Sequence, residues 1–205
     1  WGGSLNLAPA DDKILQVERI LNLDPDSQLL ASIMAKKLSV DAKYLIIDIP
    51  YGETAKVNKN RALKLKKKFE ILGKHFGIKI KVILNHVKEP TGNGIGPALE
   101  IIDVIKVLKR ESRCNDLENK SLILAANLLE LTGKAKKGKG LEMAEQILYS
   151  GKALKKFKEI VKAQQGTLNH LNKFKFSRDI RSKRKGKIIL IDIKKINFIA
   201  RTAGC

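Results

Sequence analysis

Three short segments of this chain carry residue types that could do chemistry. The first, Asp48-Ile49-Pro50-Tyr51-Gly52-Glu53-Thr54-Ala55-Lys56, joins a turn to a hydroxyl, Thr54, and a cation, Lys56. The second, Gly92-Asn93-Gly94-Ile95-Gly96-Pro97, is a glycine-rich loop that ends where a helix can begin. Glycines allow close backbone approach to a ligand, and a helix N-terminus attracts anions. Neither segment is a dinucleotide fingerprint or a Walker loop; the competing reading of the second is a tight turn that packs helix against strand. The third is Gln28, Ser32 and Lys36, spaced i, i+4, i+8 and so on one helical face. That face is either an ordinary solvent face or a polar wall for a small substrate, and spacing alone favours solvent. His75, His86 and His170 show no metal-ligand spacing. No nucleophile elbow or Ser-His-Asp order points to a covalent hydrolase.

The elements around these segments read as α/β. Asp24-Pro25 predicts a helix start, Asp as N-cap and Pro at the first helical position, with the helix running to about Leu38. Tyr44 to Ile49 reads as a buried strand broken by Pro50-Tyr51-Gly52. Asn60 to Phe76 has helical periodicity and Gly77 as its stop, and Ile78 to Leu84 reads as a second strand. A strand–helix–strand unit implies a parallel pair with a right-handed crossover. Its ligands would bind beyond the carboxyl ends of the strands, where the first two segments fall. Further helices are expected at Pro97–Lys109, Asn115–Leu131, Leu141–Tyr149 and Ala153–Gln164. Lys183 to Gly186 reads as a basic linker, Lys187 to Ile193 as a third strand, and Ile196 to Ala200 as a helix ending toward Gly204.

Composition narrows the function classes. In 205 residues, 41 Lys and Arg against 21 Asp and Glu give a net charge of +20, which raises a nucleic-acid partner. The Lys bias is spread along the chain, with concentrations only at Lys64–Lys68 and Lys173–Lys187. Aromatic residues are 5%, which counts against stacking on RNA bases. Lys-rich thermophile surfaces give the same composition. No apolar run approaches the roughly 18 residues of a membrane span, and no leader is evident. Cys114 and Cys205 have neither disulfide-framework nor metal spacing, so a reducing, cytoplasmic setting is expected. The chain opens at Trp1-Gly2-Gly3 without Met and stops just past an apolar stretch, as a fragment would.

Longer motifs add a resemblance. Leu7-Ala8-Pro9-Ala10-Asp11-Asp12-Lys13 and Leu29 to Lys37 resemble the thymidine phosphorylase family. Asp48-Ile49-Pro50-Tyr51-Gly52, then Gly92 to Glu100, continue the likeness in the same order. Trp1-Gly2-Gly3, Ala-Asp-Asp, Asp-Ile-Pro and Ile196 to Arg201 are similar to its archaeal AMP phosphorylase branch. The resemblance implies phosphorolysis of the N-glycosidic bond of AMP, and of other nucleoside monophosphates, to free base and ribose 1,5-bisphosphate. Inorganic phosphate is then the co-substrate, without metal or redox cofactor. It implies Asp24 as proton donor and substrate contacts at Ser32, Lys56, Lys36 and Arg19, the last through a gapped match. It implies residues 1–8 as the end of an upstream α/β segment and 9–40 as part of a helical lobe. Residues 41–175 then form a central α/β domain and 176–205 the start of a C-terminal domain, in a homodimer or higher oligomer.

Two departures stand against it. The archaeal loop reads Gly-x-Gly-Thr-Lys, whereas Gly52-Glu53-Thr54-Ala55-Lys56 loses the second Gly and gains a carboxylate. The family's phosphate loop lies upstream of Trp1, so the chain by itself is expected to be inactive. The rival readings are a pyrimidine nucleoside phosphorylase and, from another class, a basic nucleic-acid-binding or noncatalytic fragment.

Overall fold

The computed structural model describes residues 6–21, 23, 25–111, 114–168 and 176–204, with no description of the Arg19 side chain. The chain divides into two compact units, one of residues 1–51 and 57–85, the other of 52–56 and 86–205.

The first unit holds helices α1 (Pro9–Leu21) and α2 (Asp26–Leu38), strand β1 (Tyr44–Tyr51), helix α3 (Lys59–His75) and strand β2 (Lys79–His86). The two strands pair in a small parallel sheet, with α3 as the crossover. In β1, Leu45, Ile47 and Ile49 alternate inward, so one face of the strand is buried. Ala62, Leu65 and Phe69 repeat at helical spacing on α3 and meet that face. Leu30 and Met34 of α2 join the same core, and Phe69 and Leu65 are each only 1% exposed.

Several boundaries correct the sequence reading. Pro50 does not break β1; the strand runs through it to Tyr51. Pro50 is exposed, and each strand of a two-stranded sheet is an edge, where a residue without N–H costs no ladder bond. Helix α2 starts at Asp26, with Pro25 at the cap position in an extended conformation and no side-chain cap, so Pro25 is not the first helical residue. The Asp24 N-cap expectation falls outside the described residues. The start of α2 is anchored instead by Asp26, whose Oδ1 accepts from Arg61 Nε of α3 at 2.6 Å. Helix α3 begins one residue early because the Asn58 side chain accepts the Arg61 N–H at 2.9 Å. Gly77 terminates it with a φ of +67°, a region glycine enters without Cβ strain.

The second unit is helical among its described residues: α4 (Pro97–Lys109), α5 (Asn115–Leu131), α6 (Gly140–Tyr149), α7 (Lys152–Ala163) and α8 (Ile193–Thr202). Helices α4 to α7 pack on one another around Leu122, Ala144 and Leu148, and line an apolar cavity of about 320 Å³. Glu118 is buried there as an ion pair with Arg110, whose guanidinium lies 4.3 Å from the centre of the Tyr149 ring.

The third strand expected at Lys187–Ile193 does not form. Residues 185–192 carry no helix or strand, Ile188 and Ile189 are exposed, and α8 already starts at Ile193. A β-branched run makes a strand only with a ladder partner, and no described strand pairs with this one. Asp192 caps α8, its Oδ1 accepting the Lys195 N–H at 3.1 Å.

Candidate functional site

Helices α1 and α2 meet over a buried carboxylate. Asp11, in the first turn of α1, is 8% exposed. Its Oδ1 accepts from Gln28 Nε2 at 2.9 Å and its Oδ2 from Ser32 Oγ at 2.8 Å. Lys36 Nζ donates to the same Oδ2, and to Ser32 Oγ at 3.2 Å. Asp12 Oδ1 lies 3.7 Å from the same ammonium. The i, i+4, i+8 row of α2 is therefore half-buried rather than an open solvent face, and its three polar ends meet Asp11 of α1. Burial pushes the Asp11 carboxyl up. Hydrogen bonds from Lys36 and Ser32, the Lys36 charge and the Gln28 amide outweigh that and hold it below its usual value.

The result is an ionised carboxylate that orders a hydroxyl and an ammonium. Such a face can meet a polar ligand with groups that are held before it arrives. Ser32 and Lys36 are thus brought together, 22% of the Lys36 side chain remaining exposed. Asp24 lies outside the described residues. Arg19 falls within α1, but its side chain lies outside them as well. Sequence reasoning placed Gln28 on the polar row but missed Asp11 as its hub. Pro9 at the first helical position and two acidic residues in the first turn were the available signal for α1.

Lys56 belongs to the second unit, in the loop that follows β1, and is exposed. This loop is closely held. A Cβ on Gly52 would sit 2.2 Å from the Val87 carbonyl oxygen, so only glycine allows that approach. Thr54 Oγ1 donates to the Ile191 carbonyl at 3.4 Å and accepts the Ile193 N–H at 3.3 Å, joining the loop to the start of α8. Ala55 is buried and Glu53 is exposed.

Of the two readings of the glycine-rich loop, an anion cradle and a tight turn, the hydrogen bonds favour the turn. The Asn93 and Gly94 N–H groups donate to Asp103 Oδ2 at 2.8 and 2.6 Å. Gly92 N–H donates to Asp116 Oδ2 at 2.7 Å, and Gly96 N–H to Glu100 Oε1 at 3.0 Å. These four amides already have acceptors, and the acceptors are carboxylates, which repel an anion. The loop is the tight turn of the competing reading. Among the described residues, no three His, Cys, Asp or Glu side chains are grouped to hold a metal ion. No helix there is long and apolar enough to cross a membrane.

No model of a protein family matches this chain. An AMP phosphorylase of Methanococcus aeolicus is 45% identical over 210 residues, spanning all of this chain and 42% of that protein. Proteins named "Putative thymidine phosphorylase" from Legionella pneumophila strain Corby and Bradyrhizobium sp. strain BTAi1 are 44% and 43% identical over 206 residues. They span all of this chain, which covers 40% of each. The chain is homologous to these phosphorylases along its whole length. It spans about two-fifths of the length of the curated relatives it matches. Asp11, Gln28, Ser32, Lys36 and Lys56 all lie inside the matched region, because that region is the entire chain.

Proposed function

We propose that this chain is part of a nucleotide phosphorylase that cleaves AMP, and other nucleoside monophosphates, with inorganic phosphate. Free base and ribose 1,5-bisphosphate are the products. The observation that carries the reading is the ordered Ser32–Lys36 face on a chain homologous to an AMP phosphorylase. In the reaction, a phosphate oxygen attacks C1′ as the C1′–N bond breaks, and the departing base takes up a proton. Asp24 is the proposed donor of that proton. Ser32, Lys36 and Arg19 are the proposed contacts to the nucleotide, and Lys56 supplies a cation for the 5′-phosphate. A donor of this kind contributes roughly 10²–10⁴-fold to rate.

Thymidine phosphorolysis is the second reading, favoured by the names of the Legionella and Bradyrhizobium relatives. The two readings differ in whether a 5′-phosphate must be neutralised. The full-length protein is tested with AMP, CMP and thymidine in phosphate buffer, and released base is quantified. Adenine from AMP, reduced at least roughly 10²-fold by Asp24→Asn, supports the proposal. Thymine from thymidine, with no release from AMP, moves the assignment to the second reading.

A further inference from the structure

We propose that Asp11 is a positioning residue for the base-recognising face of α2. It fixes Ser32 as an acceptor and Lys36 as a donor toward the ligand. The inference rests on the phosphorylase reading and adds to it what orders these two side chains.

The argument is a count of donors and lone pairs. A carboxylate offers about four acceptor sites. Gln28, Ser32 and Lys36 fill three of those on Asp11. The single hydroxyl proton of Ser32 goes to Asp11, so toward a ligand its oxygen can only accept. Lys36 has three N–H bonds; one points to Asp11 Oδ2 and one to Ser32 Oγ, and since Asp12 Oδ1 at 3.7 Å is beyond hydrogen-bond length, one is left for a ligand. A lysine free in solvent would lose rotamer freedom when it met a substrate. Here the ion pair has ordered the stem beforehand. The face thus presents an acceptor and a donor side by side. That pattern matches the edge of a heteroaromatic base with a ring or carbonyl acceptor next to an N–H or amino donor.

Replacing Asp11 by Asn keeps the shape and removes the charge. The new amide turns its oxygen to Ser32 and Lys36 and its NH₂ to Gln28, where a donor then meets a donor. Lys36 would then lose the ion pair that orders its stem, although it is not mutated.

The test is steady-state phosphorolysis by the full-length protein and its Asp11→Asn, Lys36→Met and doubly substituted forms. Asp11→Asn should raise the nucleotide KM about 10-fold or more, with the phosphate KM changed by less than about 2-fold. In the Lys36→Met background the same change should have a smaller effect than in the wild type, because part of the action of Asp11 runs through Lys36 and the rest through Ser32. Asp11→Glu, which keeps the charge but displaces it by one methylene, should raise the nucleotide KM by a smaller factor, and it carries the test if Asp11→Asn fails to fold. A lowered kcat with unchanged KM would mean only lost folded enzyme and would overturn the proposal. So would independent, multiplicative effects of the two substitutions. A wild-type protein that releases no base from AMP, CMP or thymidine overturns the phosphorylase reading, and this inference with it. Active wild type with an unaffected Asp11→Asn form overturns this inference alone.

Discussion

Two buried aspartates organise donors in different ways. Asp11 gathers side chains from a neighbouring helix, Gln28, Ser32 and Lys36, and leaves a hydroxyl oxygen and an ammonium N–H with capacity to spare. Asp103 gathers the backbone N–H groups of Asn93 and Gly94 and closes a loop that glycines would otherwise leave open to an anion. In the first case the carboxylate orders a hydroxyl and an ammonium that keep hydrogen-bonding capacity. In the second it consumes the N–H groups it gathers. A motif therefore shows its chemistry only when one knows whether its hydrogen-bonding groups already have partners.

The sharpest test of this contrast is Asp103→Ala. It leaves two loop amides without their charged acceptor and should destabilise the protein by about 3 kcal/mol, read by urea unfolding. In the wild type, the Asn93 and Gly94 amide resonances should not move on phosphate titration. If they do, the loop is an anion site and the contrast fails.

Gly94→Ala comes next. A Cβ there would lie 2.5 Å from the Leu99 carbonyl carbon and oxygen, so backbone must shift. About 2 kcal/mol of lost stability is expected by thermal or urea unfolding. A neutral result would show that the loop is looser than its hydrogen bonds imply.

Acid sharpens the comparison from the other side. The folded Asp11 carboxyl titrates below the unfolded value of about 3.9. Its stabilising contribution is therefore complete above that value and is lost as pH falls through the lower, folded one. Asp116 is also lowered: burial raises it, and the Gly92 N–H and the Cys114 thiol more than offset that. Wild type should lose stability below about pH 4 more steeply than Asp11→Asn, the difference isolating Asp11 from Asp116. Parallel unfolding curves for the two proteins across that range would remove the charge from the account of the cluster.

The smallest effect is expected at Thr54→Val. The two hydrogen bonds of Thr54 are long, at 3.4 and 3.3 Å, and their loss should cost no more than about 1 kcal/mol. Hydrogen exchange should nonetheless speed up at the Ile193 amide, which donates to the Thr54 hydroxyl. Unchanged exchange there would show that the loop and the start of α8 are held by packing alone.

The elements legible from sequence were those whose signal is local. Helix α4 runs from Pro97 to Lys109 as its Pro start and apolar spacing predict, and α5 spans Asn115 to Leu131 as expected. The β1–α3–β2 unit follows from an apolar β-branched run, a helical repeat ending at Gly77, and a second run. Each of these is written within a few residues by periodicity or a terminator. The run at Lys187–Ile193 shows the limit, since its β-branched residues predict a strand and no described strand pairs with it.

For the site, sequence alone put Gln28, Ser32 and Lys36 on one face, because helical spacing is a property of the chain itself. Tertiary structure decided that the face is half-buried and that Asp11 gathers its polar ends. Those partners lie 17, 21 and 25 residues from Asp11, a distance over which no local preference operates. The same holds for the glycine loop. Its residues announced exposed amides, but Asp103 and Asp116 reach them only after α4 and α5 have packed. Local sequence specifies which groups a segment offers; packing specifies which of them remain for a ligand.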